Sequence, residues 1–147
     1  MRRIAYAAGL ALVAVLLTPT LDAQVQRSWA GRLSPVPIGT GQAATITGVG
    51  SVKGTLNGSR LVIAGDFSGL QTAATAARQH RRPKGIRGPA VFDLTVTPAT
   101  SGSINGTFDL TPAQVDDLGR ERFYVQIHSE KAPDGNLWGW LLVQENR

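Results

Sequence analysis

Apolar residues alternate with polar or small residues along most of the chain, and this period of two is typical of β-strands. The clearest run is LVIAGDF, in which Leu61, Ile63 and Phe67 fall on one side of a strand. Runs of the same period begin at Phe92, Ile104, Phe123 and Leu137. A strand with this pattern turns one face toward a core and the other away from it, so the pattern predicts several half-buried strands.

Two short stretches interrupt the alternation. Asn57-Gly58 separates two strand patterns, and because both residues accept positive φ it predicts a tight hairpin. In TPAQVDDLG, Thr111 and Gln114 fit a capping box, and a proline occupies the first helical position. Together the signals predict an all-β domain, an antiparallel sandwich or barrel of seven or eight strands with one short helix near residues 112–119.

The N-terminal segment MRRIAYAAGLALVAVLLTPTLDAQ has a different pattern, with two arginines, an apolar run and a small residue at Ala23. This is the order of a cleavable export signal. The apolar run is shorter than the about 20 residues that span a bilayer as a helix. We therefore expect residues 1–23 to be removed, residues 24–147 to form one domain without a transmembrane segment, and the product to be periplasmic or secreted.

The composition limits the classes of chemical function that the chain can have. The chain has no cysteine, which excludes disulfides, thiolate catalysis and cysteine-bound metals. Its net charge of +5 is modest, so we expect weak attraction to anionic surfaces and no nucleic-acid binding. No nucleophile motif or paired general acid and base has a recognisable spacing, and we expect the protein not to be an enzyme.

The stretch YVQIHSEKAPDGNLWGWLL predicts a hairpin whose strands carry aliphatic residues on one side only. The loop over residues 129–135 contains Pro-Asp-Gly, which suits a turn. A register that keeps both aliphatic sets on the core side has three pairs: Ile127 with Leu137, Gln126 with Trp138, and Tyr124 with Trp140. The opposite, outward face then carries five side chains that are candidates for binding: Tyr124, Gln126, His128, Trp138 and Trp140.

Two tryptophans on an outward face favour a binding surface, for example for an envelope or extracellular protein, because exposed apolar patches mark interactions. The alternative is structural: the N-terminal segment, including Trp29 and Leu33, covers this face.

Five of the fifteen basic residues lie within ten positions, with no acid among them: Arg78, Arg81, Arg82, Lys84 and Arg87. Guanidinium groups suit sulfate, phosphate and carboxylate, so this segment is a candidate anion-binding loop for an acidic glycan or an acidic protein. A solvated connecting loop is the other interpretation.

The ordered segments GTLNGSRLVIAGDFSGLQTAATAARQHR, GPAVFDLT, GSINGTFDLTPAQV and FYVQIHSEKAPDGNLWGWLL resemble the chordin-type (CHRD) domain over residues 29–143. The resemblance implies an extracellular domain with an immunoglobulin-like β architecture and no defined biochemical activity. Bacterial members often read A-H-I-H-G-P where this chain has Arg78, Gln79 and His80, and they tend to have polar residues at Trp138 and Trp140.

The resemblance and the composition together predict an exported, non-catalytic binding or structural module with an undefined ligand and no cofactor. The alternative is a copper or zinc protein that uses the chain's two histidines, His80 and His128. A nearby carboxylate such as Asp93 or Glu130 could add a further ligand to that site. Arg78 places a cation near it, which raises the electrostatic cost of a metal ion.

Overall fold

The computed structural model describes residues 26–37, 39 and 41–145, which form nine strands and one helix. In chain order these are β1 (Arg27–Pro35), β2 (Val49–Asn57), β3 (Arg60–Ser68), β4 (Ala74–Arg81), β5 (Ala90–Val96), β6 (Gly102–Asp109), α1 (Pro112–Gly119), β7 (Phe123–Ser129), β8 (Ala132–Trp140) and β9 (Leu142–Gln144). The predicted export signal at residues 1–23 lies outside the described residues.

Eight strands close into an antiparallel barrel. The order is β2-β3-β6-β5-β4-β7-β8-β1, and β1 also pairs with β2, which completes the ring. The short β9 is an extra strand that follows β8 and pairs with β1. The all-β prediction is confirmed, and of the two architectures that the sequence left open, the fold is the barrel. The barrel has eight strands, as predicted, and β9 is a ninth strand that the prediction did not include. The immunoglobulin-like arrangement implied by the resemblance stays a prediction.

The barrel interior is filled by the side chains that the alternation assigned to the core. Leu61, Ile63 and Phe67 of β3 are buried, and so are Phe123 and Ile127 of β7. Each such side chain contributes roughly 1.5–3 kcal/mol by leaving water. The predicted inward side of these strands is therefore confirmed.

Closure of the barrel depends on two glycines where β1 passes β8. A Cβ at Gly31 would collide with the carbonyl oxygen of Trp140, and a Cβ at Gly139 would collide with the carbonyl oxygen of Arg32. Only a residue without a side chain lets two backbones approach this closely.

Two turns differ from the prediction by small shifts. Asn57 pairs with Arg60, so the central residues of the β2–β3 turn are Gly58 and Ser59, one position later than expected. Gly58 has a φ of 60°, which a two-residue turn with glycine in first place requires. The β7–β8 turn consists of residues 130–131, because Ser129 pairs with Ala132. The Pro-Asp-Gly stretch is instead a bulge in β8.

The short helix α1 forms where the capping signals placed it. The Thr111 side chain accepts from the Gln114 backbone N–H, and the Gln114 side chain accepts from the Thr111 backbone N–H at 2.9 Å. Within the described ranges, no helix has the length and apolar character needed to cross a membrane.

Candidate functional site

The candidate site lies on the outside of the barrel wall made by β4, β7 and β8. The three pairs that the sequence predicted across β7 and β8 are all present, with Ile127 opposite Leu137, Gln126 opposite Trp138 and Tyr124 opposite Trp140. The predicted set therefore does share one face, opposite to the barrel core. His80 of β4 joins this face beside Tyr124, with which it pairs.

This outer face is covered rather than open to solvent. Tyr124 is fully buried, and Gln126 and His128 are exposed by only 3% and 8%. Trp138 and Trp140 are half-buried. The expectation of an exposed aromatic surface is wrong, because residues 82–89, here called the capping loop, fold back over the face.

The covering segment is also different from the predicted one. Trp29 and Leu33 are buried in the barrel core, so they do not lie over the tryptophans. Val36 and Ile46, which follow β1, pack with Ala132 against Trp138 from the other side. The face is thus enclosed by two connecting segments that are distant in sequence.

Gly88 fixes the capping loop to the face. Its backbone N–H donates to the Tyr124 hydroxyl at 2.9 Å, and its carbonyl oxygen accepts from His80 Nδ1 at 2.8 Å. A Cβ at Gly88 would collide with the carbonyl oxygen of Arg81 and with the side chain of Arg82. At the start of the loop, the Arg82 carbonyl accepts from Trp140 Nε1 at 3.3 Å.

The predicted basic loop is divided between two elements. Arg78, His80 and Arg81 belong to β4, and only residues from 82 onward form a loop. Three of the five basic side chains are paired with carboxylates: Arg78 with Asp93 at 3.0 Å, Arg81 with Asp117 at 2.6 Å, and Lys84 with Glu121 at 2.6 Å. Much of the positive charge therefore stabilises the fold locally, which weakens the interpretation as an anion-binding loop.

Arg87 ties the capping loop to the bulge in β8. Its Nη1 donates to the carbonyl oxygen of Asp134 at 2.9 Å, and Gln126 Nε2 donates to the same oxygen at 2.8 Å. Gly135 has a φ of 127°, and a Cβ there would collide with the Gln126 amide. In a regular strand the Asp134 carbonyl oxygen would accept a hydrogen bond from the neighbouring strand. The bulge leaves it available to the Arg87 and Gln126 side chains.

The two histidine rings lie close together on the outer face of the wall. Ala76 is opposite His128 and His80 is opposite Tyr124, so Arg78 lies between the two histidine positions. The imidazole centroids are 6.4 Å apart with the planes tilted by 35°. The His80 ring also stacks on Tyr124 at 4.9 Å.

Each imidazole is oriented by a hydrogen bond from its Nδ1 atom, and its Nε2 atom has no hydrogen-bond partner among the described residues. His80 Nδ1 lies 2.8 Å from the Gly88 carbonyl oxygen, and His128 Nδ1 lies 2.8 Å from that of Pro133. A carbonyl oxygen only accepts, so both Nδ1 atoms carry the proton, and in the neutral rings both Nε2 atoms carry a lone pair. Both Nε2 atoms are buried and have no hydrogen-bond partner in the described part of the chain.

Burial favours the neutral form of both rings by lowering their pKa values. Loss of solvation lowers the pKa of His80, and the neighbouring His128, Arg78 and Arg87 lower it further against the opposing effect of the Gly88 carbonyl. Burial also lowers the pKa of His128, with Arg78 and Arg87 acting in the same direction and Pro133 and Asp134 opposing. Neutral imidazole is the form that binds metal ions.

The carboxylates that the sequence offered as further ligands do not join the histidines. Asp93 pairs with Arg78, and its side chain is 87% exposed. Glu130 is exposed in the β7–β8 turn. Over residues 26–37, 39 and 41–145 there is no group of three or more histidine, cysteine, aspartate or glutamate residues suited to a metal ion.

Sequence reasoning missed the residues that act through their backbone. Gly88, Pro133 and Asp134 supply the carbonyl oxygens that orient the site, and a backbone acceptor leaves no signature in side-chain chemistry. Asn136 was missed as well; its amide donates to the Thr47 carbonyl at 2.7 Å and so anchors the segment that packs on Trp138. Gly88, the first residue of GPAVFDLT, was the one sequence signal for a close backbone contact here.

Comparison with protein families identifies a match over most of the barrel. A model of the CHRD domain matches residues 32–141, close to the region of resemblance and extending from β1 to the end of β8. Comparison with curated proteins and with solved structures returned no match. The family is a small domain of unclear function, so the match supports the barrel as a unit without assigning it a ligand. With three quarters of its length matched in a single stretch, the chain belongs to the CHRD-domain family.

Proposed function

We propose that this chain is an exported, non-catalytic binding module whose ligand is a metal ion held by His80 and His128. The observation that carries the proposal is the pair of buried Nε2 atoms without partners, on rings 6.4 Å apart. An unsatisfied buried acceptor costs about 1–3 kcal/mol, and two of them on neighbouring rings call for an explanation. A bound ion satisfies both at once.

The way in which the rings are held supports this proposal. Metal-bound histidines almost always donate their other ring N–H to a carbonyl or carboxylate, which fixes the orientation of the ring. Both histidines do so toward backbone oxygens at 2.8 Å. The site therefore has the outer set of hydrogen bonds that a ligand pair needs before any ion arrives.

The buried position of the nitrogens favours holding an ion over turning over a substrate. Catalytic metal sites keep a coordination position open to water or substrate. Here the capping loop lies over the face and Tyr124 is fully buried beneath it. Export is proposed on separate grounds, namely the N-terminal pattern of two arginines, an apolar run and a small residue at Ala23.

The test is expression of the full chain, separation of periplasm, membrane and medium, and elemental analysis of the protein purified without added metal. We expect a product that begins near residue 24 and carries up to one copper or zinc ion per chain, or takes up one on incubation. A His80→Asn/His128→Asn double variant is the matched control, because asparagine keeps a side-chain N–H near the position of Nδ1 and removes Nε2. A wild-type protein that binds neither metal, or a double variant that binds as well, would exclude the metal site; an unprocessed product in the cytoplasm would exclude export.

A further inference from the structure

We infer that the His80–His128 site selects a soft monovalent metal ion, Cu(I), in linear coordination between the two Nε2 atoms. This inference rests on the proposed function and goes beyond it by naming the class of ion, its charge and its coordination number. Four features of the site support it: the spacing of the rings, the number of donors, the surrounding charge and the exclusion of water.

The spacing fits a single ion on a straight line between two nitrogens. A metal–imidazole bond is about 2.0 Å, so two such bonds in line place the nitrogens about 4 Å apart. With both Nε2 atoms turned toward the ion, and each nitrogen about 1.2 Å from the centre of its ring, this arrangement needs about 6.4 Å between the ring centroids. The observed centroid distance is 6.4 Å. The centroid distance therefore leaves room for one ion between the two rings.

The number of donors excludes most competing ions. Zn(II) in proteins is almost always four-coordinate, and Cu(II) prefers a square-planar or tetragonal set. Among the described residues no third histidine, aspartate or glutamate completes such a set. Cu(I), with a filled d shell, is stable with two nitrogen donors in line, and imidazole is a suitable ligand for copper.

The charge of the surroundings favours a low-charge ion. Arg78 lies between the two histidine positions along the wall. The Arg87 guanidinium donates to the carbonyl oxygen of Asp134, the residue after the Pro133 that anchors His128. Electrostatic repulsion scales with the charge of the ion, so a divalent ion is opposed about twice as strongly as a monovalent one. Arg78 is paired with Asp93 at 3.0 Å, which offsets part of its charge.

The site also excludes water, which Cu(II) and Zn(II) would use to complete their coordination. Both Nε2 atoms are inaccessible to solvent. Tyr124 stacks on His80, and the Trp138 and Trp140 rings pack on Tyr124 at centroid distances of 6.0 and 4.7 Å. An apolar, dry setting disfavours higher charge, because the transfer of charge out of water is costly.

The experiment compares ions of different charge on the same protein. Ag(I) is the first probe, since it shares the charge and linear preference of Cu(I) and does not change oxidation state in air. Binding of Ag(I), of Cu(I) under anaerobic conditions with a competing chelator, and of Zn(II) and Cu(II) is measured by titration. The chain's only imidazoles are His80 and His128, it has no cysteine, and its one methionine is Met1, so the signals are unambiguous.

We expect one Ag(I) or Cu(I) per chain and much weaker binding of Zn(II) and Cu(II). Single His80→Asn and His128→Asn variants should each weaken Ag(I) binding by on the order of 100-fold or more, since each loses one of two ligands. In ¹⁵N-labelled wild-type protein, Ag(I) should shift both Nε2 resonances while both Nδ1–H signals persist. This NMR measurement needs no variant, so it decides the question even if the variants do not fold.

The outcomes separate the two proposals. Zn(II) or Cu(II) binding as tightly as Ag(I), with loss in the asparagine variants, would overturn the selection of a monovalent ion and leave the metal-binding proposal standing. Absence of binding by all four ions, or Ag(I) binding that leaves the Nε2 resonances unchanged, would overturn both. Stoichiometric Ag(I) binding with shifted Nε2 resonances, and weaker divalent binding, would support both.

Discussion

The two faces of the wall formed by β4, β7 and β8 are both buried, but they are built in different ways. The inner face is covered by apolar side chains from the other strands of the barrel, whereas the outer face is covered by connecting segments that present backbone carbonyls. Two glutamines show the contrast. Gln79 points into the core with neither amide atom hydrogen-bonded in the described residues, while Gln126 on the outer face donates to the Asp134 carbonyl. The inner face supplies stability, and the outer face positions polar groups.

The largest expected effect is the removal of a side chain from the inner face. Phe123 is fully buried, and Phe123→Ala should lower the free energy of unfolding by about 3–5 kcal/mol through lost burial and the cavity left behind. Urea denaturation measures this. A loss below about 1 kcal/mol would mean that the barrel core near α1 collapses around the change or is not packed as described.

The adjacent residue tests the outer face. Tyr124→Phe keeps the ring but removes the hydroxyl that accepts from the Gly88 N–H, so we expect a loss of about 1–2 kcal/mol. Faster hydrogen exchange at the Gly88 amide should accompany it, because the capping loop loses its contact with the face. Unchanged exchange at Gly88 would show that this hydrogen bond does not hold the loop.

Substitutions of the two glutamines should change the free energy of unfolding in opposite directions. Gln79→Ile replaces an unsatisfied buried amide by an apolar side chain and should raise the free energy of unfolding by about 1 kcal/mol or more. Gln126→Leu removes a satisfied donor and should lower it by about 1 kcal/mol. Thermal melts of both variants check the signs, and a decrease for Gln79→Ile would indicate an amide partner in the folded protein.

Stability should also depend on pH through the outer face. The folded pKa values of His80 and His128 lie below the unfolded value of about 6.5, mainly because of burial. Between the two values the unfolded chain binds more protons, so stability is present above about pH 6.5 and is lost as pH falls toward the folded pKa values. Denaturation at pH 7.5 and 5.5 measures the loss. The His80→Asn/His128→Asn variant is the control, and an equal loss in that variant would assign the effect to other groups.

The smallest effect is expected on the surface of the capping loop. Lys84→Ala removes a partly exposed ion pair with Glu121, which should change stability by less than about 1 kcal/mol. Because the bond from Lys84 is the main cause of the lowered pKa of the Glu121 carboxyl, that pKa should rise toward its ordinary value. An NMR titration of Glu121 measures this, and an unchanged pKa would show that the pair does not form in solution.

The sequence predicted contacts correctly where the alternation of side chains along a strand determines which residues share a face. The pairing of Tyr124 with Trp140 followed from keeping Ile127 and Leu137 on the same side, since a shift of one residue would expose both. The helix at residues 112–119 followed from local capping chemistry in the same way. These features depend on contacts between chain neighbours or across one hairpin.

The sequence was insufficient wherever distant segments meet. Strand β4 went unrecognised because its inward residues are small or polar, as at Ala77 and Gln79, and its charges resemble a loop. The cover over Tyr124 depends on Gly88, whose backbone groups act across the fold and have no side-chain pattern. For the same reason the distance between the two imidazoles could not be inferred from their positions in the chain.

The two imidazoles are anchored by different parts of the chain, one by the carbonyl of Gly88 and the other by that of Pro133. An ion between them would cross-link residue 80 to residue 128 and close a loop formed by the residues between them. In a chain without cysteine, such a bridge would serve as a reversible cross-link that restricts the unfolded state as a disulfide does. Resistance to proteolysis would then vary with the ion supply of the compartment, since a ligand at 100 times its dissociation constant adds about 2.7 kcal/mol to folding.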